Sequence, residues 1–462
     1  MACVFVLSSF VVNAVPIWLL ARPLGISLAV AIAIQLVAIA LLGWVRGSFW
    51  AYVVVSALAG MFVLAGASML ALTVFGVVRS APGREYRLAA TLAFAVSLLL
   101  SSALLARGVA NGAFDWAAPE SSLELELEQP GPSIHLLVLD AYPRQDTLAM
   151  LGFDNAPFLQ AMQDRGFDVY EDSHSNYDRT AFTLLTMLSM RHLTEIGDLW
   201  ADVPDDVIEQ TRVVSRALQD PPLFDALERG GYTTRVLQGP IVDVPLGGAD
   251  LDDTVHTANN FELDLPQRSV ISGVLEYFGF ARGQQRAQVT ETLAKFASVE
   301  PGPTFTLAHV LSPHAPYVFG PGGTVPDPPP CYPASCSIFE SNVGKLGWSE
   351  AENWARFTDQ VDQLNGLLLS TVDELVARDP NAVIVLFSDH GPRIPGNVEA
   401  RFDNLLVART PGFPRLLGSS PTNINILPRL FDAYLGTSIG DLPDAQYTAG
   451  EEPWLAVERL RR

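Results

Sequence analysis

The sequence predicts an α/β protein in which an N-terminal bundle of transmembrane helices precedes a mostly parallel β-sheet with helices on both faces. Three observations predict this. The 462 residues are 49% apolar, yet only eight charged residues occur up to Asp115, and the remaining sequence has a net charge of −25. From residue 133, short apolar runs alternate with helical segments, as in parallel sheets covered by helices. The longest of these segments, 351–378, is amphipathic and leads into the apolar run Val383 to Phe387.

Four apolar stretches form the first part of the chain, at 2–21, 25–45, 50–78 and 88–106. Each has roughly the 20 residues that a helix needs to cross about 30 Å of hydrocarbon. We therefore expect a domain of about four transmembrane helices over residues 1–107. No basic residue precedes the first stretch, so a cleaved signal peptide is not favoured. A transporter is not favoured either, because no ionisable residue lies in the middle of any stretch.

The arginines between these stretches predict the orientation. Arg22 follows the first stretch and Arg79, Arg84 and Arg87 follow the third, whereas the second turn contains only Arg46. Loops rich in arginine stay in the cytoplasm. The N-terminus and everything after residue 110 are then expected outside it.

Charge and cysteine content limit the partners of the body. Its excess of acidic residues repels polyanions and no Lys/Arg cluster is present, so nucleic acid is not an expected partner. Cys331 and Cys336 enclose the segment Tyr-Pro-Ala-Ser. A local disulfide in an oxidising compartment is favoured over a metal-binding pair. The oligomeric state is not predicted.

A linker over residues 108–132, a body over 133–440 and a C-terminal tail over 441–462 complete the domain organisation. In the linker, Leu123 to Glu128 alternates with period two, which is typical of an edge strand whose glutamates discourage pairing with other chains. The predicted strands of the body cover 134–139, 167–170, 232–237, 305–311 and 383–387, and its predicted helices cover 155–165, 180–190, 221–229 and 351–378.

Polar residues follow several of these strands where they end. Asp140 follows the first strand, His314 lies just beyond the strand 305–311, and Asp389 and His390 follow the last. Ligands of open α/β sheets bind beyond the carboxyl ends of the strands. Carboxylate and imidazole groups suit a divalent cation such as Zn²⁺ or Mn²⁺. Taken alone, Asp140 is as well explained as a helix cap and His314 as a turn histidine.

A hydroxyl nucleophile would complete this set. Thr180 ends the motif Ser-Asn-Tyr-Asp-Arg-Thr and begins a predicted helix. The unpaired N–H groups and the dipole of a helix N-terminus favour an anionic group there. A divalent cation can lower the pKa of a bound hydroxyl and neutralise charge on a phosphoryl or sulfuryl oxygen.

Five motifs together resemble the alkaline-phosphatase and sulfatase superfamily. The likeness covers roughly 133–436, and the segment Ser420-Pro-Thr-Asn-Ile-Asn425 is similar to the family's closing segment. The chain is most similar to the membrane-anchored branch related to lipoteichoic acid synthases and phosphoethanolamine transferases. The motifs are Val-Leu-Asp140-Ala-Tyr-Pro-Arg, Asn155-Ala-Pro-Phe-Leu, Ser-Asn-Tyr-Asp-Arg-Thr180, Ala-His309-Val-Leu-Ser-Pro-His314-Ala-Pro-Tyr and Phe-Ser-Asp389-His390-Gly.

The resemblance implies a role for each matching residue. Asp140, Asp389 and His390 would hold one divalent ion (Zn²⁺, Mn²⁺, Mg²⁺ or Ca²⁺), and Thr180 would be both a ligand and the nucleophile. His314 would contact the substrate or a second ion. The implied protein is a multi-pass protein of a bacterial-type cell membrane. Its extracytoplasmic domain would transfer or hydrolyse a phosphoester on a lipid or envelope-polymer headgroup.

Two alternatives to this function stay open. A sulfuric ester hydrolase would need an unusual nucleophile, because Thr180 stands outside the Cys-x-Pro-x-Arg type motif of formylglycine sulfatases. Cys331-Tyr-Pro-Ala-Ser335 lacks the arginine of that motif and lies far later in the chain. The other alternative is a binding protein that keeps the fold without turnover. His309 is expected to be a supporting residue, and Arg393 either pairs with an anionic headgroup or is a surface arginine.

Overall fold

The computed structural model describes Leu123, Leu125 and Leu127 together with residues 130–196, 207–239, 244–254, 280–324, 348–449 and 457–459. The chain divides into two units, Met1–Ala117 and Ala118–Arg462, and every described residue belongs to the second. The four predicted transmembrane stretches and the predicted Cys331–Cys336 disulfide lie outside the described residues. Within the described ranges, no helix has the length and apolar character needed to cross a bilayer.

A seven-stranded, mostly parallel sheet forms the centre of the body, as predicted. The central strand β1 pairs in parallel with β5 on one side and with β6 on the other. β3 pairs in parallel with β5 and β4, while β7 runs antiparallel to β6 and β2. The strands are β1 (Ile134–Leu139), β2 (Asp168–Val169), β3 (Thr233–Gln238), β4 (Leu251–Thr254), β5 (Thr304–Val310), β6 (Val383–Phe387) and β7 (Leu406–Arg409), in the spatial order β2-β7-β6-β1-β5-β3-β4.

Helices cover both faces of this sheet. Alternate residues of β1 point to opposite faces, and Ile134 packs in one hydrophobic core while Leu137 packs in the other. The first core contains residues of α3, α4, α5 and α8, and the second contains residues of α2, α6 and α7. The helices are α1 (Gln145–Met150), α2 (Ala156–Asp164), α3 (Thr180–Ser189), α4 (Val207–Gln219), α5 (Pro222–Arg229), α6 (Phe280–Ala297), α7 (Glu350–Arg378) and α8 (Ile426–Tyr434).

The long helix α7 matches the amphipathic helix that the sequence predicted over 351–378. The Ser349 side chain accepts a hydrogen bond from the Glu352 N–H and so caps the first turn. A buried apolar stripe from Phe357 to Leu375 faces the second core. The helix ends before Asp379, which precedes a proline and avoids helical geometry. β6 follows, with all five residues buried.

The described leucines of the linker differ from the predicted edge strand. The described linker leucines Leu123, Leu125 and Leu127 belong to no strand, and they pack against the first core. The Nη2 of Arg229 also donates to the carbonyl oxygen of Leu123 (3.4 Å). The three described leucines of this period-two segment therefore dock on the body and are not part of a strand.

A two-stranded sheet lies in the segment predicted as a tail. β8 (Tyr447–Ala449) pairs antiparallel with β9 (Val457–Arg459). Tyr447 is buried, and its N–H donates to the carbonyl oxygen of Asn176 (2.8 Å). The start of this segment therefore packs against the chain that leads into α3.

Candidate active site

Asp140 lies where β1 ends, and its side chain is buried. Its N–H donates to the carbonyl oxygen of Val310 and continues the pairing of β1 with β5 (3.1 Å). The next residue, Ala141, adopts the left-handed conformation with a φ of 59°. This turn lets the Ala141 N–H donate to Asp389 Oδ1 (3.1 Å) and the Tyr142 N–H donate to Ser388 Oγ (2.8 Å). The ends of β1 and β6 are thereby tied together.

Asp389 and His390 lie in the turn after β6. Asp389 is fully buried, and its Oδ2 has no hydrogen-bond partner among the described residues. The Nδ1 of His390 lies 2.8 Å from the carbonyl oxygen of Gly391. Because a carbonyl only accepts, Nδ1 carries the hydrogen of the neutral ring, and Nε2 keeps a free lone pair.

Three potential ligand atoms converge at this point. His390 Nε2 lies 3.8 Å from Asp140 Oδ1 and 3.5 Å from Asp389 Oδ2. Asp140 Oδ1, like Asp389 Oδ2, lacks a hydrogen-bond partner in the described part of the chain. Ligands at about 2 Å around a tetrahedral ion are roughly 3.3 Å apart. The unpaired oxygens and the free nitrogen therefore fit a divalent cation, and no other group of three such side chains meets within the described ranges.

Thr180 is the first residue of α3 and borders this group. Its Oγ1 lies 3.4 Å from His390 Nε2. The residue before it, Arg179, provides no side-chain cap for the helix, so the first N–H groups lack a capping side chain. One turn further, Thr183 Oγ1 donates to the carbonyl oxygen of Asp389 (2.9 Å). This hydrogen bond joins the start of α3 to the turn that contains Asp389 and His390.

Two histidines of the motif Ala-His309-Val-Leu-Ser-Pro-His314 lie close to Asp140. The His314 N–H donates to the Asp140 carbonyl oxygen (3.0 Å), and His314 Nδ1 lies 2.6 Å from the carbonyl oxygen of Ala315. The peptide bonds Ser312–Pro313 and Ala315–Pro316 on either side are cis. His309 is buried on β5, and its Nε2 lies 3.4 Å from Asp140 Oδ2.

The electrostatics favour an ionised Asp140. Burial by itself raises the pKa of this carboxyl. The imidazole groups of His314, His309 and His390 near this carboxyl more than offset burial, so the pKa of Asp140 lies well below its usual range. At neutral pH the group is therefore a carboxylate, the form that binds a cation.

The sequence did not indicate two buried asparagines that bond the turn of Ser388, Asp389 and His390. Asn404 Nδ2 donates to the Ser388 carbonyl oxygen (2.6 Å). Asn423 Nδ2 donates to the carbonyl oxygens of Ser388 (2.9 Å) and Asp389 (3.3 Å). Asn423 lies in the segment that resembled the family's closing segment, which was the available signal. Asn404 had no comparable signal, because a side chain that bonds a distant carbonyl leaves no local pattern.

Gly391 makes the turn possible through its small size. A Cβ atom at this position would collide with the carbonyl oxygen of Ala400 and lie 2.7 Å from that of Asp403. The Gly391 N–H also donates to the Arg401 carbonyl oxygen (2.8 Å). The glycine after His390 is therefore needed for the close approach of the segment 399–403.

Solved structures of low sequence identity align with this chain. The C-terminal periplasmic domain of EcEptC from Escherichia coli is 12% identical over 73% of this chain and 94% of that chain, with a TM-score of 0.45. The phosphonate monoester hydrolase of Agrobacterium radiobacter is 14% identical over 69% and 80%, with a TM-score of 0.42. The lipooligosaccharide phosphoethanolamine transferase A of Neisseria meningitidis is 14% identical over 76% and 70%, with a TM-score of 0.37.

The family model named Sulfatase matches residues 147–405. This range contains Thr180, His314, Asp389 and His390, and Asp140 lies seven residues before it. None of the curated proteins matches the sequence. The matched range covers more than half of the 462 residues. The chain therefore belongs to the sulfatase family.

Proposed function

We propose that this protein is a membrane-anchored, metal-dependent enzyme that transfers or hydrolyses a phosphoester outside the cytoplasm, on a lipid or envelope-polymer headgroup. One observation carries the chemistry: Thr180 Oγ1 lies 3.4 Å from the free nitrogen of His390, which faces two unpaired carboxylate oxygens. The membrane anchor and the extracytoplasmic location rest on the hydropathy and the arginine pattern of the first 110 residues.

The proposed ligands are Asp140, Asp389, His390 and Thr180. Two carboxylates with an imidazole and a hydroxyl favour Zn²⁺ or Mn²⁺ among divalent ions. When bound, the cation supplies positive charge that lowers the pKa of the Thr180 hydroxyl and offsets charge on a phosphoryl oxygen. His314 would contact the substrate, with a second ion beside it as the other possibility.

The proposed reaction consists of two displacements at phosphorus. Thr180 Oγ1 gives up its proton to solvent and attacks phosphorus. The oxygen–phosphorus bond forms, the bond to the leaving alcohol breaks, and the leaving oxygen takes up a proton from solvent. The uncapped N–H groups of α3 stabilise the negative charge that develops on the phosphoryl oxygens. An acceptor hydroxyl or water then loses its proton and attacks the same phosphorus, and the bond to Thr180 Oγ1 breaks as that oxygen takes up a proton again. Water as acceptor gives hydrolysis, and an alcohol gives transfer.

Replacing the nucleophile tests this proposal. Thr180→Ala removes the attacking oxygen, so we expect turnover of a phosphodiester, such as a glycerophospholipid headgroup, to fall roughly a thousand-fold or more. In the wild type, rapid quenching and mass spectrometry should detect a phosphoryl adduct on the peptide that contains Thr180.

Thr186→Ala is the matched control, because Thr186 lies in the same helix and its hydroxyl donates to the Phe182 carbonyl oxygen (2.7 Å), away from the ligands. This variant should keep wild-type turnover. Undiminished turnover by Thr180→Ala would end the assignment of the nucleophile.

Sulfate-ester hydrolysis is the second candidate function, and the match to the Sulfatase family model favours it. The same cation and helix terminus would stabilise a sulfuryl group. Parallel assays with an aryl sulfate and a phosphodiester distinguish the two. A much higher kcat/KM for the aryl sulfate would replace the phosphoester proposal.

A further inference from the structure

Gln238 has a fixed orientation at the end of β3. Its Oε1 accepts a hydrogen bond from the Leu246 N–H (3.0 Å), and its Nε2 donates to the Val244 carbonyl oxygen (2.8 Å). These two backbone groups determine which end of the amide is oxygen and which is nitrogen. In the sheet, Gln238 is the register partner of His309 on β5. The second hydrogen of Gln238 Nε2 therefore serves His309 Nδ1, which lies 3.2 Å away.

This contact determines the tautomer of the His309 ring. An amide nitrogen only donates, so His309 Nδ1 accepts, and the hydrogen of the neutral ring is on Nε2. His309 Nε2 lies 3.4 Å from Asp140 Oδ2, an approach that falls short of hydrogen-bond geometry, and Nε2 has no hydrogen-bond partner among the described residues. The ring hydrogen thus lies on the nitrogen that is next to one oxygen of the Asp140 carboxylate, and in this buried environment a hydrogen bond that closes the gap would be little weakened by water.

We infer that Gln238 and His309 are positioning residues for the proposed cation site. Gln238 selects the tautomer of His309, and His309 holds Asp140 Oδ2 so that Oδ1 is presented to the cation. Asp140 Oδ1 is the unpaired oxygen that lies 3.8 Å from His390 Nε2. Without the bond from His309, the carboxylate can rotate and exchange its two oxygens. This inference rests on the proposed function in that it takes Asp140 as a ligand.

Three variants of the full-length protein, with Zn²⁺ affinity measured by competition with a chromophoric chelator, test the inference. His309→Phe keeps the ring volume and removes the donor, so we expect Zn²⁺ to bind about 10- to 100-fold more weakly. His309→Gln carries a nitrogen donor near the position of the imidazole Nε2 and should remain within a few-fold of wild type.

His135→Phe is the matched control. His135 is also buried in the sheet, on β1, but its two ring nitrogens have no hydrogen-bond partner in the described ranges. This variant should bind Zn²⁺ as the wild type does. Wild-type affinity in His309→Phe would overturn the inference, and so would equal weakness of His309→Phe and His309→Gln, which would mean that only the ring shape matters.

A second measurement separates this inference from the proposed function. In metal-free protein with ¹⁵N-labelled histidine, the His309 signals, assigned by their loss in His309→Gln, should show the hydrogen on Nε2. A hydrogen on Nδ1 would overturn the inference whatever the ion affinity. If the wild type binds no Zn²⁺ while His309 has its hydrogen on Nε2, the proposed function fails and the hydrogen-bond arrangement stands.

Discussion

Asp140 and Asp389 are alike in how their two oxygens are used. Each has one oxygen next to a neighbouring nitrogen and one without a hydrogen-bond partner among the described residues. A buried carboxylate with an unpaired oxygen is costly unless an opposite charge compensates it. Asp140 is ionised at neutral pH, so the free-energy cost of burying an uncompensated charge applies to it. The arrangement is therefore best explained as a site prepared for a cation.

The candidate ligands were predictable from the sequence because each carries a local signal. Asp140 and the Asp389-His390 pair follow solid apolar strands, where a polar side chain needs a partner. Thr180 follows a polar turn at the start of a helix. Gln238 has no such signal, since its importance comes from backbone groups and a histidine brought together by the sheet.

His135 should make the stability of the body depend on pH. Burial lowers the pKa of His135 from 6.5 to about 4; the nearby Asp379 raises it and Arg235 lowers it. The unfolded chain therefore binds a proton below pH 6.5 that the folded chain does not bind until about pH 4. The contribution of this group to the free energy of unfolding is fully present above pH 6.5. It is lost as the pH falls toward 4, and the loss amounts to about 3 kcal/mol.

The variant His135→Phe removes this titration. Thermal unfolding of both proteins at pH 7 and pH 5 should show a smaller loss of stability for the variant. Equal pH dependence in the two proteins would show that His135 is not the group responsible.

At the scale of helices and strands, the elements with a clear local pattern of apolar residues were the ones that the sequence predicted. β6 and α7 combine unbroken apolar patterns with clear ends, and they occur within a residue of their predicted bounds. The short antiparallel strand β7 has four residues and was not predicted. α6 was also missed, and among its described side chains Val289, Leu293 and Phe296 contribute to the core. Such elements depend on packing partners that are distant in sequence.

The segment before α3 is supported by the C-terminal part of the chain. Asn176 Nδ2 donates to the Ala445 carbonyl oxygen (3.0 Å), and the Tyr447 ring stacks on Tyr177 with centroids 5.3 Å apart. Tyr177 in turn accepts a hydrogen bond from the Leu193 N–H at its hydroxyl (3.0 Å), so both ends of α3 are linked to this cluster. Ala445 and Tyr447 therefore stabilise the helix that begins with Thr180.

We predict that Tyr447→Ala destabilises the protein by about 3 kcal/mol, as expected for removal of a buried aromatic ring. Turnover should fall as well, because the chain before Thr180 loses its packing partner. Tyr447→Phe keeps the stacked ring and should behave as the wild type in the same thermal unfolding and turnover assays. An unchanged melting temperature in Tyr447→Ala would show that β8 contributes nothing to the body.

At the scale of the whole molecule, the sheet topology explains why the site forms where it does. β1 lies between β5 and β6, so the chain leaves β1 with neighbours on both sides whose carboxyl ends point the same way. Asp140 follows β1, His309 lies on β5 with His314 just after it, and the Asp389-His390 pair follows β6. In open α/β sheets, such a central position is where ligands bind. The order of the motifs in the sequence predicted that these residues lie close together, and the structure gives the distances between their atoms.

The most direct test of the account is diffraction from crystals of the protein loaded with Zn²⁺, recorded at the zinc absorption edge. We predict an anomalous peak at about 2 Å from Asp140 Oδ1, Asp389 Oδ2, His390 Nε2 and Thr180 Oγ1. A peak that lacks the Thr180 oxygen in its coordination, or one bound elsewhere on the body, would contradict the claim that these four side chains share one cation.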